Sequence, residues 1–136
     1  MLHSTFFLTL FFTLLGVATL YFLDFFFLFF SKIWWLDTVT HFGGGFWAGG
    51  VVLWGYGYVR KSSPEKISWR LLVLLSVLSA CAIGMLWEIY EVLIYPMLSS
   101  TEGYFFDTTT DLIADTAGAL IAGMFFLYTL RETNDI

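Results

Sequence analysis

The sequence predicts an all-α integral membrane protein, a four-helix bundle with both termini on the cytoplasmic side. Of its 136 residues, 59% are hydrophobic and only 12% are charged, whereas about 25% of a soluble domain is charged. The hydrophobic residues form continuous runs rather than the alternating pattern of membrane β-strands. About 20 apolar residues cross the hydrocarbon core of a bilayer as a helix, and four runs reach that length. We therefore expect a single transmembrane domain over residues 1–136.

The four helices are predicted at about 5–30, 38–58, 68–95 and 109–130. The first follows an N-terminus without basic residues and is longer than the apolar region of a signal peptide, so we expect it to be retained. The second is interrupted by glycines and the third is continuously apolar. The fourth follows a run of threonines. Little chain lies outside these runs, which leaves no room for a soluble domain.

The basic residues predict the orientation of the bundle. Arg60, Lys61, Lys66 and Arg70 flank the connection between the second and third helices, and Arg131 follows the fourth. Basic residues are enriched in cytoplasmic loops. This connection and both termini are therefore expected in the cytoplasm, as in a multi-pass protein of a bacterial inner membrane.

Seven acidic residues lie in or at the ends of the hydrophobic runs, with no Lys or Arg beside them in those runs: Asp24, Asp37, Glu88, Glu91, Asp107, Asp111 and Asp115. In the predicted topology they all fall in the outer third of the membrane. One carboxylate at bilayer depth is unfavourable by roughly 2.5–3.5 kcal/mol. A bound metal ion, protons or a water-filled cavity must offset that free energy.

The spacing of these residues predicts that they share a pocket. Residues three or four apart lie on one face of a helix, and charged faces turn towards a bundle interior. That spacing joins three groups: Asp37 with His41, Glu88 with Glu91, and Asp107 with Asp111 and Asp115. Three such faces at one depth enclose a polar pocket.

Several of these residues also have ordinary structural explanations. Asp37 could cap the second helix, and Asp107 could be a first-turn acid favoured by the helix dipole. His41 could be a buried histidine that bonds to a backbone carbonyl. Asp24 is isolated among phenylalanines, and its role is open.

The ligand set favours a divalent metal ion, which could be Zn, Mn, Mg, Ca or Fe. Glu88, Asp111, Asp115 and His41 are the preferred ligands, with Asp37 and Asp107 as further candidates. Glu91 or Asp115 could serve as a general base. At the outer leaflet, such a site fits a metal-dependent hydrolase that acts on a membrane lipid or lipid-linked substrate.

Other functions stay open. The same acids could form a proton or cation path, although no acid lies in the inner half of any predicted helix. A non-catalytic scaffold or resistance protein with a structural ion site is a further alternative. The net charge of −5 and the absence of a basic patch exclude nucleic acid as a partner. The single Cys81 excludes an internal disulfide and a cysteine-based zinc cluster.

Small residues at four-residue spacing predict close helix packing. Gly45 and Gly49 have this spacing in the second helix, and Ala114 and Gly118 have it in the fourth. They could pack within one chain or form the seam of a homo-oligomer.

Three segments resemble the small bacterial inner-membrane proteins of the YjdF type: DTVTHFGGGF at 37–46, WEIYE at 87–91 and DTTTDLIADTAGA at 107–119. A looser likeness connects the chain to VanZ-like proteins, which are linked to glycopeptide resistance. The resemblance implies that the acidic residues of these segments and His41 belong to one signature. It implies little about activity, because the YjdF type is essentially uncharacterised.

Overall fold

The computed structural model describes residues 2–60, 68–94 and 103–134, and these residues form five helices. They are α1 (Leu2–Phe27), the short α2 (Phe29–Lys32), α3 (Trp34–Arg60), α4 (Trp69–Ile94) and α5 (Tyr104–Asn134). This confirms the all-α bundle of four long helices. Among the described residues, three segments are long and apolar enough to cross a membrane: Ser4–Phe27, Trp69–Ile94 and Tyr104–Leu130.

The first helix ends three residues before the predicted limit at residue 30. Leu28 adopts a left-handed conformation, with φ 53° and ψ 49°, which an α-helix of L-residues cannot continue. The carboxylate of Asp24 accepts a hydrogen bond of 2.6 Å from the backbone amide of Phe30. Asp24 thus binds one of the amides that the start of α2 would otherwise leave unbonded, which gives this isolated acid a structural role.

The last helix begins at Tyr104, five residues before the predicted start at 109. The hydroxyls of Thr109 and Thr110 donate to the carbonyls of Phe105 and Phe106, four residues earlier. Such bonds satisfy threonine hydroxyls inside a helix. The threonine run and Asp107 are therefore helical, and Asp107 lies in the first turn of α5.

Ring contacts fix the directions of the helices. Phe6, near the start of α1, lies 5.1 Å from Phe126, near the end of α5, measured between ring centroids. Tyr21, near the end of α1, lies 4.8 Å from Trp87, near the end of α4. Helices α1 and α4 therefore run in one direction and α5 in the other, so the ends that carry the acids lie together.

The apolar core occupies the opposite end of the bundle. It consists of five fully buried side chains, which are Phe6, Leu10, Leu53, Leu72 and Phe126. These residues come from the start of α1 and α4 and from the end of α3 and α5. One end of the bundle is thus packed mainly with hydrocarbon, with Ser76 and Thr129 as its buried polar residues, while the other end holds His41 and the buried acids.

Helices α3 and α5 approach each other backbone to backbone. A Cβ atom on Gly45 would collide with the backbone carbonyl of Asp115, and a Cβ atom on Gly118 would collide with that of Phe42. Only glycine allows so close a contact, which is how small residues act in membrane helices. Gly45 and Gly118 therefore pack within one chain.

Replacing Gly45 or Gly118 with alanine should strongly destabilise the protein. Backbone atoms cannot move aside as a flexible side chain can, so the overpacking should lower the free energy of unfolding by about 3 kcal/mol or more. Unfolding of the purified protein in mixed micelles would measure this change. Gly55→Ala is the matched control, because nothing lies within 4 Å of its added Cβ. Equal stability of the Gly45 and Gly55 variants would contradict the proposed close packing.

Candidate functional site

The polar end of the bundle is organised around the imidazole of His41. His41 lies on α3 and only 5% of its surface is exposed. Its Nε2 atom lies 3.8 Å from Oδ1 of Asp37 and 4.0 Å from Oδ2 of Asp111. Its Nδ1 atom lies 3.5 Å from Oδ2 of Asp115. Three carboxylates from two helices therefore surround one ring.

The regular spacing of α5 explains how two of these acids reach one ring. Asp111 and Asp115 are four residues apart and share the helix face that meets α3. One of them lies beside each ring nitrogen. Asp37 is one turn before His41 and completes the group from the same helix. Four of the seven residues that the spacing assigns to one pocket therefore lie around the imidazole.

Gly84 of α4 makes room for one of these carboxylates. A Cβ atom on Gly84 would collide with Oδ2 of Asp115. Sequence reasoning missed Gly84, because its contact joins α4 to α5. Nothing in the local sequence indicates which side chain faces it.

The atoms around Nε2 form a group that is able to hold a metal ion. One ligand atom each from Asp37, His41 and Asp111 lie within 4.8 Å of one another. The Nε2 atom is buried and has no hydrogen-bond partner, and its carboxylate neighbours are beyond hydrogen-bonding distance. A buried polar atom without a partner is unfavourable by about 1–3 kcal/mol. The space between these three atoms therefore suits a bound cation.

The group is open on one side. The side chain of Asp37 is 25% exposed, compared with 5% for Asp111. Asp37 is therefore the most exposed of the three residues in this group.

The two glutamates of α4 are bonded elsewhere. Glu88 accepts a hydrogen bond of 2.6 Å from the hydroxyl of Thr108, and Glu91 accepts one of 2.9 Å from the indole N–H of Trp87. Glu88 is buried, and its second oxygen, Oε1, has no hydrogen-bond partner. Both were predicted to serve the metal site, Glu88 as a ligand and Glu91 as a base. Neither belongs to the three-residue group around Nε2.

Asp107 and Thr108 are neighbours in the first turn of α5 but have different surroundings. Asp107 is exposed and is not part of the group around Nε2. Its position in the first turn agrees with the alternative that it interacts with the helix dipole. Thr108 was not singled out from the sequence, yet its hydroxyl is the partner of the buried Glu88.

A cavity of about 230 Å³ adjoins the site on the side of Asp115. Leu14, Val17 and Tyr21 of α1 form one wall, and Ala80, Ile83 and Trp87 of α4 form another. The floor consists of α3 residues and Asp115, among them Thr40, His41 and Gly44. No local feature of the sequence predicts this cavity, because it depends on the separation of α1 and α4.

The fold and these residues define a helical membrane protein with a buried cluster of carboxylates around a histidine. The chain belongs to the DUF2238 family, described as a predicted membrane protein, whose model matches residues 1–132. This confirms the resemblance to the YjdF type at the level of the family and extends it to the first helix. No curated protein and no solved structure matches the chain.

Replacing Thr108 with valine should destabilise the protein. Glu88 would then lose its hydroxyl donor while staying buried, and a buried acceptor left unbonded costs about 1–3 kcal/mol, or more when charged. Thermal unfolding in detergent would measure the loss. Thr109→Val is the control, since Thr109 is exposed and bonds only within its own helix. If both variants unfolded at the same temperature, the hydrogen bond to Glu88 would contribute nothing.

Proposed function

We propose that this protein binds a divalent metal ion through Asp37, His41 and Asp111. The observation that carries the proposal is the buried Nε2 atom of His41, which faces two carboxylate oxygens and has no hydrogen-bond partner. A metal ion would bind all three atoms at once. It would also neutralise the negative charge of the two carboxylates, which no Lys or Arg of the described helices contacts.

The distances suit this role with small movements. Two ligands with bonds of about 2.1 Å in a tetrahedral site lie about 3.4 Å apart. Nε2 lies 3.8 and 4.0 Å from the two carboxylate oxygens. A contraction of about half an ångström would bring the two nitrogen–oxygen distances to this value. The two carboxylate oxygens, which lie within 4.8 Å of each other, would also have to move closer together.

Asp115 is suited to orient the imidazole rather than to bind the ion. Its carboxylate lies 3.5 Å from Nδ1, on the opposite edge of the ring from Nε2. A carboxylate that accepts the N–H of one ring nitrogen leaves the other nitrogen free as a metal ligand, and this pairing is usual in metal sites. Asp115, predicted as a ligand and as a base, is thus proposed here as the residue that positions His41.

The ligand chemistry narrows the choice of metal. One imidazole nitrogen and two carboxylate oxygens suit Mn²⁺, Fe²⁺ or Zn²⁺. Ca²⁺ and Mg²⁺ favour sites made only of oxygen, so they should bind more weakly. Three carboxylates around a neutral imidazole carry three negative charges, and a dication reduces them to one.

Asp111→Asn should abolish the site. The purified full-length protein should bind about one equivalent of Mn²⁺ or Zn²⁺ per chain, and the variant should bind more than about 100-fold more weakly, beyond the usual effect of an outer residue. Calorimetric titration and elemental analysis after dialysis would measure this. The matched control is Asp107→Asn, which removes an exposed acid one turn earlier on α5. Equal binding by both variants, or no binding by the native chain, would overturn the proposal.

Asp115→Asn should weaken metal binding by about 10–100-fold without removing it, as expected for a residue that orients a ligand. The same titration measures this effect, with Thr116→Val as the control, because Thr116 bonds to the carbonyl of Leu112 in its own helix. A loss as complete as that of Asp111→Asn would instead make Asp115 a direct ligand. Unchanged affinity would remove it from the site.

For activity, we propose metal-assisted hydrolysis of a lipid-like substrate. Three protein ligands leave coordination positions for water, which a bound metal ion converts into a nucleophile near neutral pH. The exposed edge at Asp37 gives water access to that position. With the predicted topology, the site faces the outer side of the membrane.

The position of the apolar core favours this activity over transport. The side chains of Phe6, Leu53 and Phe126 are buried at the other end of the bundle, where none of the described acids is buried. Vesicles of defined phospholipids or isoprenoid phosphates, incubated with the reconstituted protein and Mn²⁺ or Zn²⁺, would test hydrolysis by mass spectrometry of the products. Product formed equally by Asp111→Asn would contradict it, while metal binding without products would leave a structural ion site.

A further inference from the structure

The cavity beside His41 is a cleft between two helices that do not touch along their backbones. Within the described part of the chain, no Cα atom of α1 comes within 8 Å of one in α4. Instead, α1 packs on α3, where Val17 meets Gly43 and Leu10 meets Gly50. The cleft therefore lies where α1 and α4 stand side by side on α3.

The rim of the cleft faces the hydrocarbon of the membrane. Leu14 and Ile83 line it from opposite sides and are 41% and 48% exposed. Both belong to segments that are able to cross a membrane, Ser4–Phe27 and Trp69–Ile94. The medium outside this rim is therefore lipid rather than water.

Aromatic rings close the cleft towards the end that carries the acids. Tyr21 and Trp87 contact each other across the gap, with ring centroids 4.8 Å apart. A molecule arriving from the aqueous side along α1 and α4 meets this pair first. Leu14 lies two turns before Tyr21 and Ile83 one turn before Trp87, so a chain that enters between Leu14 and Ile83 would not have to pass this ring pair.

We propose that the cleft holds the hydrocarbon chain of a membrane lipid and places its head group beside His41. The lining is almost entirely apolar, and Thr40, His41 and Asp115 are the polar residues that border it next to the site. A cavity of roughly 150 Å³ holds a benzene molecule, so about 230 Å³ holds a chain segment of several more carbons. The binding of the chain stands by itself, but the delivery of a substrate head group rests on the proposed metal site.

The occupant can be identified by photo-crosslinking. The reconstituted full-length protein would be illuminated in phosphatidylcholine vesicles that contain a lipid with a diazirine on its chain. Residue-level mass spectrometry would then locate the adducts. Trp47 and Ala48, which line the cleft, should be labelled, and the exposed Val51 and Val52 on the same helix report contact with bulk lipid.

Ile83→Trp should block the rim, and Gly44→Leu should fill the floor. A Cβ atom at Gly44 meets only Oδ1 of Asp115, at 3.8 Å, so the added side chain has room to enter the cleft. Each variant should reduce the labelling of Trp47 and Ala48 several-fold relative to Val51 and Val52. The controls are Leu86→Trp, at an exposed position outside the cleft, and Gly55→Leu, where nothing lies within 4 Å.

Two outcomes would overturn the inference: no labelling of Trp47 and Ala48 in the native chain, or labelling that neither Ile83→Trp nor Gly44→Leu reduces. Metal titration of the same samples distinguishes this failure from that of the metal site. Labelling without metal binding would leave the lipid cleft standing and remove the metal. If Ile83→Trp leaves metal binding intact and the cleft residues are never labelled, the metal site would stand and the lipid cleft would be rejected.

Discussion

The close contact between the backbones of α3 and α5 is the constraint on which the polar site depends. Gly45 lies against the carbonyl of Asp115, and Gly118 lies against that of Phe42. These two contacts fix both the separation and the register of the helices. Because His41 precedes Gly45 by one turn, this register places its ring between Asp111 and Asp115. A shift of one turn would leave the imidazole without one of its two carboxylates.

Buried carboxylates in an apolar bundle need partners, and the structure provides them unequally. Asp24 accepts a hydrogen bond from a backbone amide, Glu88 accepts one from a threonine hydroxyl, and Glu91 accepts one from an indole N–H. Asp111 and Asp115 have mainly the imidazole of His41, which they share with Asp37. Even a protonated imidazole would cancel only one of these three negative charges. The surplus charge is therefore concentrated at the residues proposed as metal ligands, which is the physical reason to expect a cation there.

The sequence was sufficient to predict the helical bundle and the residues that converge on His41. Long apolar runs and polar residues at four-residue spacing are local signals. Asp37 has this spacing to His41, and Asp111 has it to Asp115. The roles of Glu88 and Asp24 could not be predicted, because Thr108 lies on another helix and the cap at Phe30 depends on the turn at Leu28. Hydrophobicity places an acid at a depth in the membrane but does not identify its partner.

The two nitrogen atoms of the His41 ring face different surroundings, and the Nδ1 atom lies on the side of the cleft. Nε2 faces Asp37, whose side chain is 25% exposed, whereas Nδ1 and Asp115 border the apolar cleft. An apolar cavity excludes water and binds apolar molecules. A lipid chain in this cleft would lie against Asp115 and the Nδ1 edge of the His41 ring, while the proposed ion would lie at the Nε2 edge. The bond within reach of a metal-bound water would then lie in the head group of the lipid rather than along its chain.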